Sequence, residues 1–160
     1  MKSSASLHVK DNAPVKSPRR LHIPDEASML KFGREFAASL DFAKPIVIEL
    51  IGDVGTGKTT FTRGLAEGLG IKTPITSPSF TISKSYAFES PTGTPRTLTH
   101  YDFYRLGDPG IMAEDLTEKM NSQDLVVIEW SDSVKNLLPK DHSTITFTIQ
   151  EDDSREVCLA

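Results

Sequence analysis

The 160-residue chain has little sulfur chemistry and no long apolar stretch. It has one cysteine, Cys158, which excludes an intrachain disulfide and any multi-cysteine metal site. Its four histidines, His8, His22, His100 and His142, follow no zinc-ligand spacing. The longest apolar runs, such as IVIELI, are far too short to cross a bilayer, so no membrane partner is expected. No excess of positive charge exists either: 18 basic against 22 acidic residues give a net charge of −4, which argues against broad, non-specific nucleic-acid binding. What remains is the composition of a soluble globular chain, 38% apolar and 25% charged, long enough for one domain with a real core.

The first twenty residues differ from the rest. They carry five basic residues and one acid, with serines and prolines but no apolar segment, so they are not a secretory signal. Pro14 and Pro18 interrupt any amphipathic helix. Residues 1–20 are therefore expected to form a flexible basic tail and residues 21–160 the folded domain, in a reducing, cytoplasmic compartment.

Beyond the tail, RLHIP is a short strand candidate ended by Pro24. Asp25 is placed to cap a helix through about Leu40, whose apolar side is Met29, Leu30, Phe32, Phe36, Ala37 and Leu40. PIVIELIG and DLVVIEW lack alternation, the pattern of strands buried on both faces. FTISKSYAF alternates and is expected to pair with TLTHYDFYR across the turn ESPTGTPR. Helix is expected in part of DPGIMAEDLTEKM and from Ser131 to Leu138, and STITFTIQ with REVCLA reads as a closing hairpin around EDDS.

The stretch LIGDVGTGKTTFTRGL concentrates the chemistry. Gly52, Gly55 and Gly57 lie between an apolar strand and a helical pattern from Lys58 to Leu69 that Gly70 ends. The run from Gly52 to Thr59 fits G-x-x-x-x-G-K-[ST], and its strand-to-helix setting is the one that confirms a P-loop. Backbone N–H groups and the positive helix end cradle a polyphosphate there. Lys58 supplies a point charge to the β and γ phosphates, and the Thr59 hydroxyl is suited to Mg²⁺. ATP and Mg²⁺ are the expected cofactors. Asn-Lys-x-Asp, the guanine-reading pattern, is absent.

A P-loop needs a second carboxylate to hold the metal, and Glu129 ends the apolar strand LVVIE. Trp130, the only tryptophan, reads equally as core or as functional surface. Asp102 is the other acid. On an alternating strand His100, Asp102 and Tyr104 share one face, where the carboxylate either orients a water or belongs to a structural cluster with His100 and Arg105. Thr76 and Ser77, in the loop after the P-loop helix, are either γ-phosphate sensors or an ordinary Ser-Pro turn.

GDVGTGKTTFTRGL, TSPSFT, HYDFYRL and VVIEW occur in the order and at roughly the spacing of the TsaE family, and IPDEASMLKFGREFA resembles that family's first helix. The resemblance covers about residues 21–160. It implies an α/β, P-loop NTPase-like three-layer sandwich, with a mainly parallel central sheet and antiparallel hairpin strands. It also implies a small ATPase required for threonylcarbamoyladenosine (t6A) in tRNA, at the adenosine next to the anticodon. Such a protein acts on a TsaB–TsaD pair and meets tRNA only indirectly. Residue by residue, it makes Gly55, Thr56, Gly57, Lys58, Thr59 and Thr60 the phosphate cradle, and Thr59 with Glu129 the metal ligands. Lys58, Asp102 and Glu129 are then the catalytic set, with Trp130 in the same cluster. Thr76 and Ser77 match its switch-like loop, and Arg155, with Glu26 as a weaker candidate, matches a position near the nucleotide. The basic tail, and a short segment after Asp108-Pro109, depart from the family pattern. Two other functions fit a P-loop. One is a small-molecule kinase, against which stands the lack of an arginine-rich lid around Arg63, Arg96 and Arg105; the other is a nucleotide-gated binding module with little hydrolysis.

Overall fold

The computed structural model describes residues 17–160 apart from Ser79 and Arg105. Residues 1–16, most of the expected tail, lie outside the described residues.

Seven strands form one sheet in the order β1-β7-β6-β2-β5-β4-β3. They are β1 (Arg19–Ile23), β2 (Ile46–Ile51), β3 (Ser83–Glu89), β4 (Pro95–Asp102), β5 (Leu125–Glu129), β6 (Ser143–Ile149) and β7 (Arg155–Leu159). The four central strands β6, β2, β5 and β4 run parallel. The flanking pairs β1–β7, β6–β7 and β3–β4 are antiparallel. This is the expected α/β architecture, and the two hairpins fall where alternation placed them. One boundary differs. β1 takes in Arg19 and Arg20, which the composition shift assigns to the tail, because they pair with Leu159 and Cys158 of β7.

Helices cover both faces. α1 (Glu26–Ala38) begins at Asp25, whose carboxylate accepts from the Ser28 amide at 2.8 Å, satisfying a helix donor that would otherwise be orphaned. α1 packs with α2 (Lys58–Gly68) against a core that includes Ile48, Leu50, Leu98, Val127, Ile145 and Val157. Phe32, Phe36 and Phe61 form an aromatic knot between the two helices, with centroids 5.3–6.1 Å apart. The helices approach closely because Gly33, Gly64 and Gly68 have no side chain. A Cβ on Gly64 would stand 2.4 Å from the Leu30 carbonyl oxygen, and one on Gly33 would stand 2.5 Å from that of Phe61. On the other face, α3 (Ile111–Met120) and a 3₁₀ segment (Ser131–Leu137) cover Val47, Tyr101, Phe103, Val126 and Ile128. Tyr101 donates to Asp115 at 2.6 Å, which ties α3 to the sheet; burial first, then that carboxylate, pushes the phenol far above its ordinary range.

Alternation in β4 and β5 decides which residues meet α2. Leu98 and Val127 pack on the α1–α2 side, whereas Tyr101 and Ile128 pack on the α3 side. By the same alternation His100, Asp102 and Glu129 all face α2 and the glycine-rich turn.

Candidate functional site

β2 ends at Ile51 and α2 begins at Lys58, so the glycine-rich turn leaves the carboxyl end of a central parallel strand. That is the place where sheets of this kind bind ligands. Gly57 occupies the N-cap of α2 with φ 107°, a left-handed conformation that a side chain disfavours. At Gly52 the need is space: a Cβ would stand 2.7 Å from Thr56 Oγ1 and 2.8 Å from the Phe147 carbonyl oxygen. Thr56 is buried and donates to the Asp53 carbonyl at 2.7 Å, closing the turn on itself.

Lys58 is 6% exposed. Its ammonium donates to the carbonyls of Gly52 and of Asp53, the latter at 3.0 Å, and lies 4.7 Å from the centroid of the Trp130 ring. Burial lowers its proton affinity from the ordinary lysine range, partly offset by the carboxylates of Glu129, Asp102 and Asp53.

Asp102 and Glu129 are register partners at the ends of β4 and β5, each about 5% exposed or less. Glu129 Oε1 lies 2.9 Å from His100 Nε2, and His100 is wholly buried with Nδ1 unpartnered among the described residues. Asp102 Oδ1 accepts from the Tyr104 amide at 2.8 Å, and Oδ2 lies 3.5 Å from the Ser77 hydroxyl. β4 therefore stops at Asp102, and Tyr104 does not continue its alternation as the sequence suggests. Instead Tyr104 packs on Trp130 with centroids 4.7 Å apart. His100 turns to Glu129, and the alternative cluster with Arg105 lies outside the described residues.

Lys58, Asp102, Tyr104, Glu129 and Trp130 line one cleft of about 850 Å³, which also includes Gly55, Gly57, Thr59, Thr60, Ser77 and Arg155. Arg155 reaches the glycine-rich turn from β7 and donates to the Gly55 carbonyl at 3.1 Å. Glu26 also lines the cleft, paired with Arg63 at 2.5 Å. Gly52 and Thr56 shape the turn from behind. Thr76 is the candidate that the structure leaves apart: its hydroxyl accepts from Lys84, and the cleft lining takes Ser77 instead.

Sequence reasoning missed Ile23, Pro24 and Met29, which also line the cleft, and the exposed Phe80 among the lining residues. Only Phe80 carried a signal, as an aromatic in a proline-punctuated loop. It also missed Glu49, the lone acid within the apolar run Ile46–Ile51, although a charge inside such a run is itself a signal.

Thr59 and Glu129, both in the cleft lining, are residues that could hold a nucleotide-bound metal. Among the described residues no group of three or more His, Cys, Asp or Glu could hold a metal unaided. One hydroxyl and one carboxylate, Thr59 and Glu129, match an ion that keeps waters and shares phosphate oxygens.

A family model described as threonylcarbamoyl adenosine biosynthesis protein TsaE matches residues 23–157. The chain is 34% identical over 142 residues to the tRNA threonylcarbamoyladenosine biosynthesis protein TsaE of Haemophilus influenzae, covering 86% of each. It is 41% identical over 119 residues to the Bacillus subtilis protein of the same name, covering 72% of this chain and 70% of that one. Among solved structures, the crystal structure of Bacillus subtilis YdiB superposes with a TM-score of 0.66 at 33% identity, covering 89% of this chain and 84% of the other. With a glycine-rich turn, two register-paired acids and a family match over residues 23–157, the chain belongs to the TsaE family.

Proposed function

We propose that this protein is a Mg²⁺-dependent ATPase that serves t6A formation in tRNA by acting on a TsaB–TsaD complex. The observation that carries the reading is the convergence of Lys58, Thr59, Asp102 and Glu129 on one cleft at the amino end of α2. Mg²⁺ bound there supplies charge neutralisation to the phosphates. Lys58 holds the β and γ phosphates as a point charge, and the backbone N–H groups at the start of α2 cradle them. Thr59 and Glu129 would hold the metal, and Asp102 would orient the water for attack on the terminal phosphate. Arg155 closes the cradle from the C-terminal hairpin.

Hydrolysis, rather than transfer to a small acceptor, is favoured by where the arginines stand. Arg63 lines the cleft, while Arg96 is committed to the Phe42 and Gln123 carbonyls. Catalysis by positioning and charge alone leaves a lone protein slow, and a partner closing over the open cleft raises the rate. The test is phosphate release by the protein with and without TsaB–TsaD, beside ATP titrations of the wild type and Lys58→Ala. The expected result is Mg²⁺-dependent release stimulated by the complex and abolished in Lys58→Ala. Wild-type affinity for ATP in Lys58→Ala would overturn the reading.

A further inference from the structure

A second buried polar group sits beneath the same strand end, on the α3 side of the sheet. Glu49 is 2% exposed and shares its β2 face with Val47, which packs against α3. Ser131 donates to Glu49 Oε1 at 2.5 Å, His142 Nε2 lies 2.8 Å from Oε2, and Thr144 donates to Oε2 at 3.3 Å. Burial alone would raise this carboxyl; the bonds from Ser131 and His142, with the charges of His142 and Lys135, outweigh it and hold it below the ordinary glutamate range. The nucleotide chemistry uses none of these residues.

Their place in the chain gives them a role. Ser131 directly follows Trp130, whose backbone is left-handed at φ 54°, ψ 52°. A non-glycine residue holds that conformation only where its surroundings fix it. Here both neighbours are fixed. His100 binds Glu129 on the α2 side, and Glu49 binds Ser131 on the α3 side. The corner between them sets the indole 4.7 Å from the Lys58 ammonium and 4.7 Å from the Tyr104 ring.

We propose that Glu49 is a positioning residue for the nucleotide site: through Ser131 it clamps the left-handed corner at Trp130, and so fixes Trp130 over Lys58 and the Glu129 carboxylate at the cleft. The consequence for ATP rests on the ATPase reading; the clamp itself does not.

Trp130 is the only tryptophan, so its emission and acrylamide quenching report the corner without any nucleotide. Ser131→Ala removes the bond, Glu49→Leu removes the acceptor at similar volume, and Glu49→Gln keeps an acceptor for Ser131. Leu116→Val, a wholly buried α3 residue away from the corner, controls for lost stability. Ser131→Ala and Glu49→Leu should shift Trp130 emission and raise its quenching above the Leu116→Val control. They should also weaken Mg²⁺·ATP about tenfold, the size usual when the partner behind a metal ligand is lost. Glu49→Gln should stay near the wild type in both. Should Glu49→Leu fail to fold, Ser131→Ala decides alone. Trp130 signals in Ser131→Ala matching the control would overturn the clamp, whatever the ATP result. Failure of the wild type to bind Mg²⁺·ATP would overturn the ATPase reading and leave the fluorescence result standing.

Discussion

Asp102 and Glu129 stand side by side across the parallel pairing of β4 and β5, yet only Glu129 meets the buried imidazole of His100. Adjacent strands lie about 4.8 Å apart, so two like charges meet at close range and Lys58 offsets them. Their different partners divide their work. On the proposed reading Glu129, held by an imidazole, serves the metal, and Asp102, held by the Tyr104 amide and near the Ser77 hydroxyl, serves the attacking water. Asp102→Asn nearly preserves shape and should change ATP affinity little, while turnover with TsaB–TsaD falls on the order of 10²–10⁴-fold. Glu129→Ala should weaken Mg²⁺·ATP well beyond its effect on metal-free ATP. Titrations with Mg²⁺ and with chelator, beside phosphate release, separate the two. Wild-type turnover in Asp102→Asn would remove its catalytic role.

His100 should be felt through the metal. Its only side-chain hydrogen bond among the described residues goes to Glu129, and it does not itself line the cleft. His100→Leu leaves a buried carboxylate oxygen unpaired, at a cost of about 1–3 kcal/mol in stability. It should also weaken the Mg²⁺ dependence of ATP binding about tenfold. Glutamine can place a donor near the same point, so His100→Gln should recover much of that loss. Equal Mg²⁺ dependence in all three proteins would make His100 a packing residue.

What the sequence made legible was local. The glycine-rich turn, the Asp25 cap, the two unalternating strands and the acid ending β5 each depend on neighbours a few residues away, and each stands where the pattern placed it. The parts that were not legible depend on distant partners. Glu49 meets Ser131 across 82 residues, and Arg155, placed near the nucleotide by the family resemblance alone, meets the Gly55 carbonyl across 100. Tyr104 escaped the alternation because its own amide binds Asp102 and ends the strand. Thr76 and Ser77 are sequence neighbours, yet one turns to Lys84 and the other to the cleft. No periodicity distinguishes them.

The glycines inside α1 and α2 belong to that second class, for a helix interior normally avoids glycine. Here it lets the helix backbones touch, and the α1–α2 pair in turn carries Lys58 at its end. Gly64→Ala gains helix propensity but drives a methyl group to 2.4 Å from the Leu30 carbonyl oxygen, a backbone atom that cannot move aside cheaply. The clash should win by about 1–3 kcal/mol. At roughly 2–4 °C per kcal/mol for a chain of this size, the melting temperature should fall by several degrees. An unchanged or raised melting temperature would mean that the helices slide apart without penalty.

The Glu49 carboxyl should leave a signature in acid. Its folded proton affinity is depressed: the bonds from Ser131 and His142, with the charges of His142 and Lys135, outweigh burial. A depressed carboxyl adds stability that is fully present above its unfolded pKa, near 4.5, and lost as pH falls through the lower folded value. Glu49→Gln keeps the shape and an acceptor but cannot titrate. The wild type should therefore exceed Glu49→Gln in stability at about pH 5.5, a unit clear of the unfolded pKa. That margin should shrink progressively as the pH drops below 4.5. Urea unfolding of both proteins between neutral and acid pH measures the margin directly. A margin that stays constant down to the acid unfolding of the wild type would show that the carboxylate charge contributes nothing. Ser131 would then be held by shape alone.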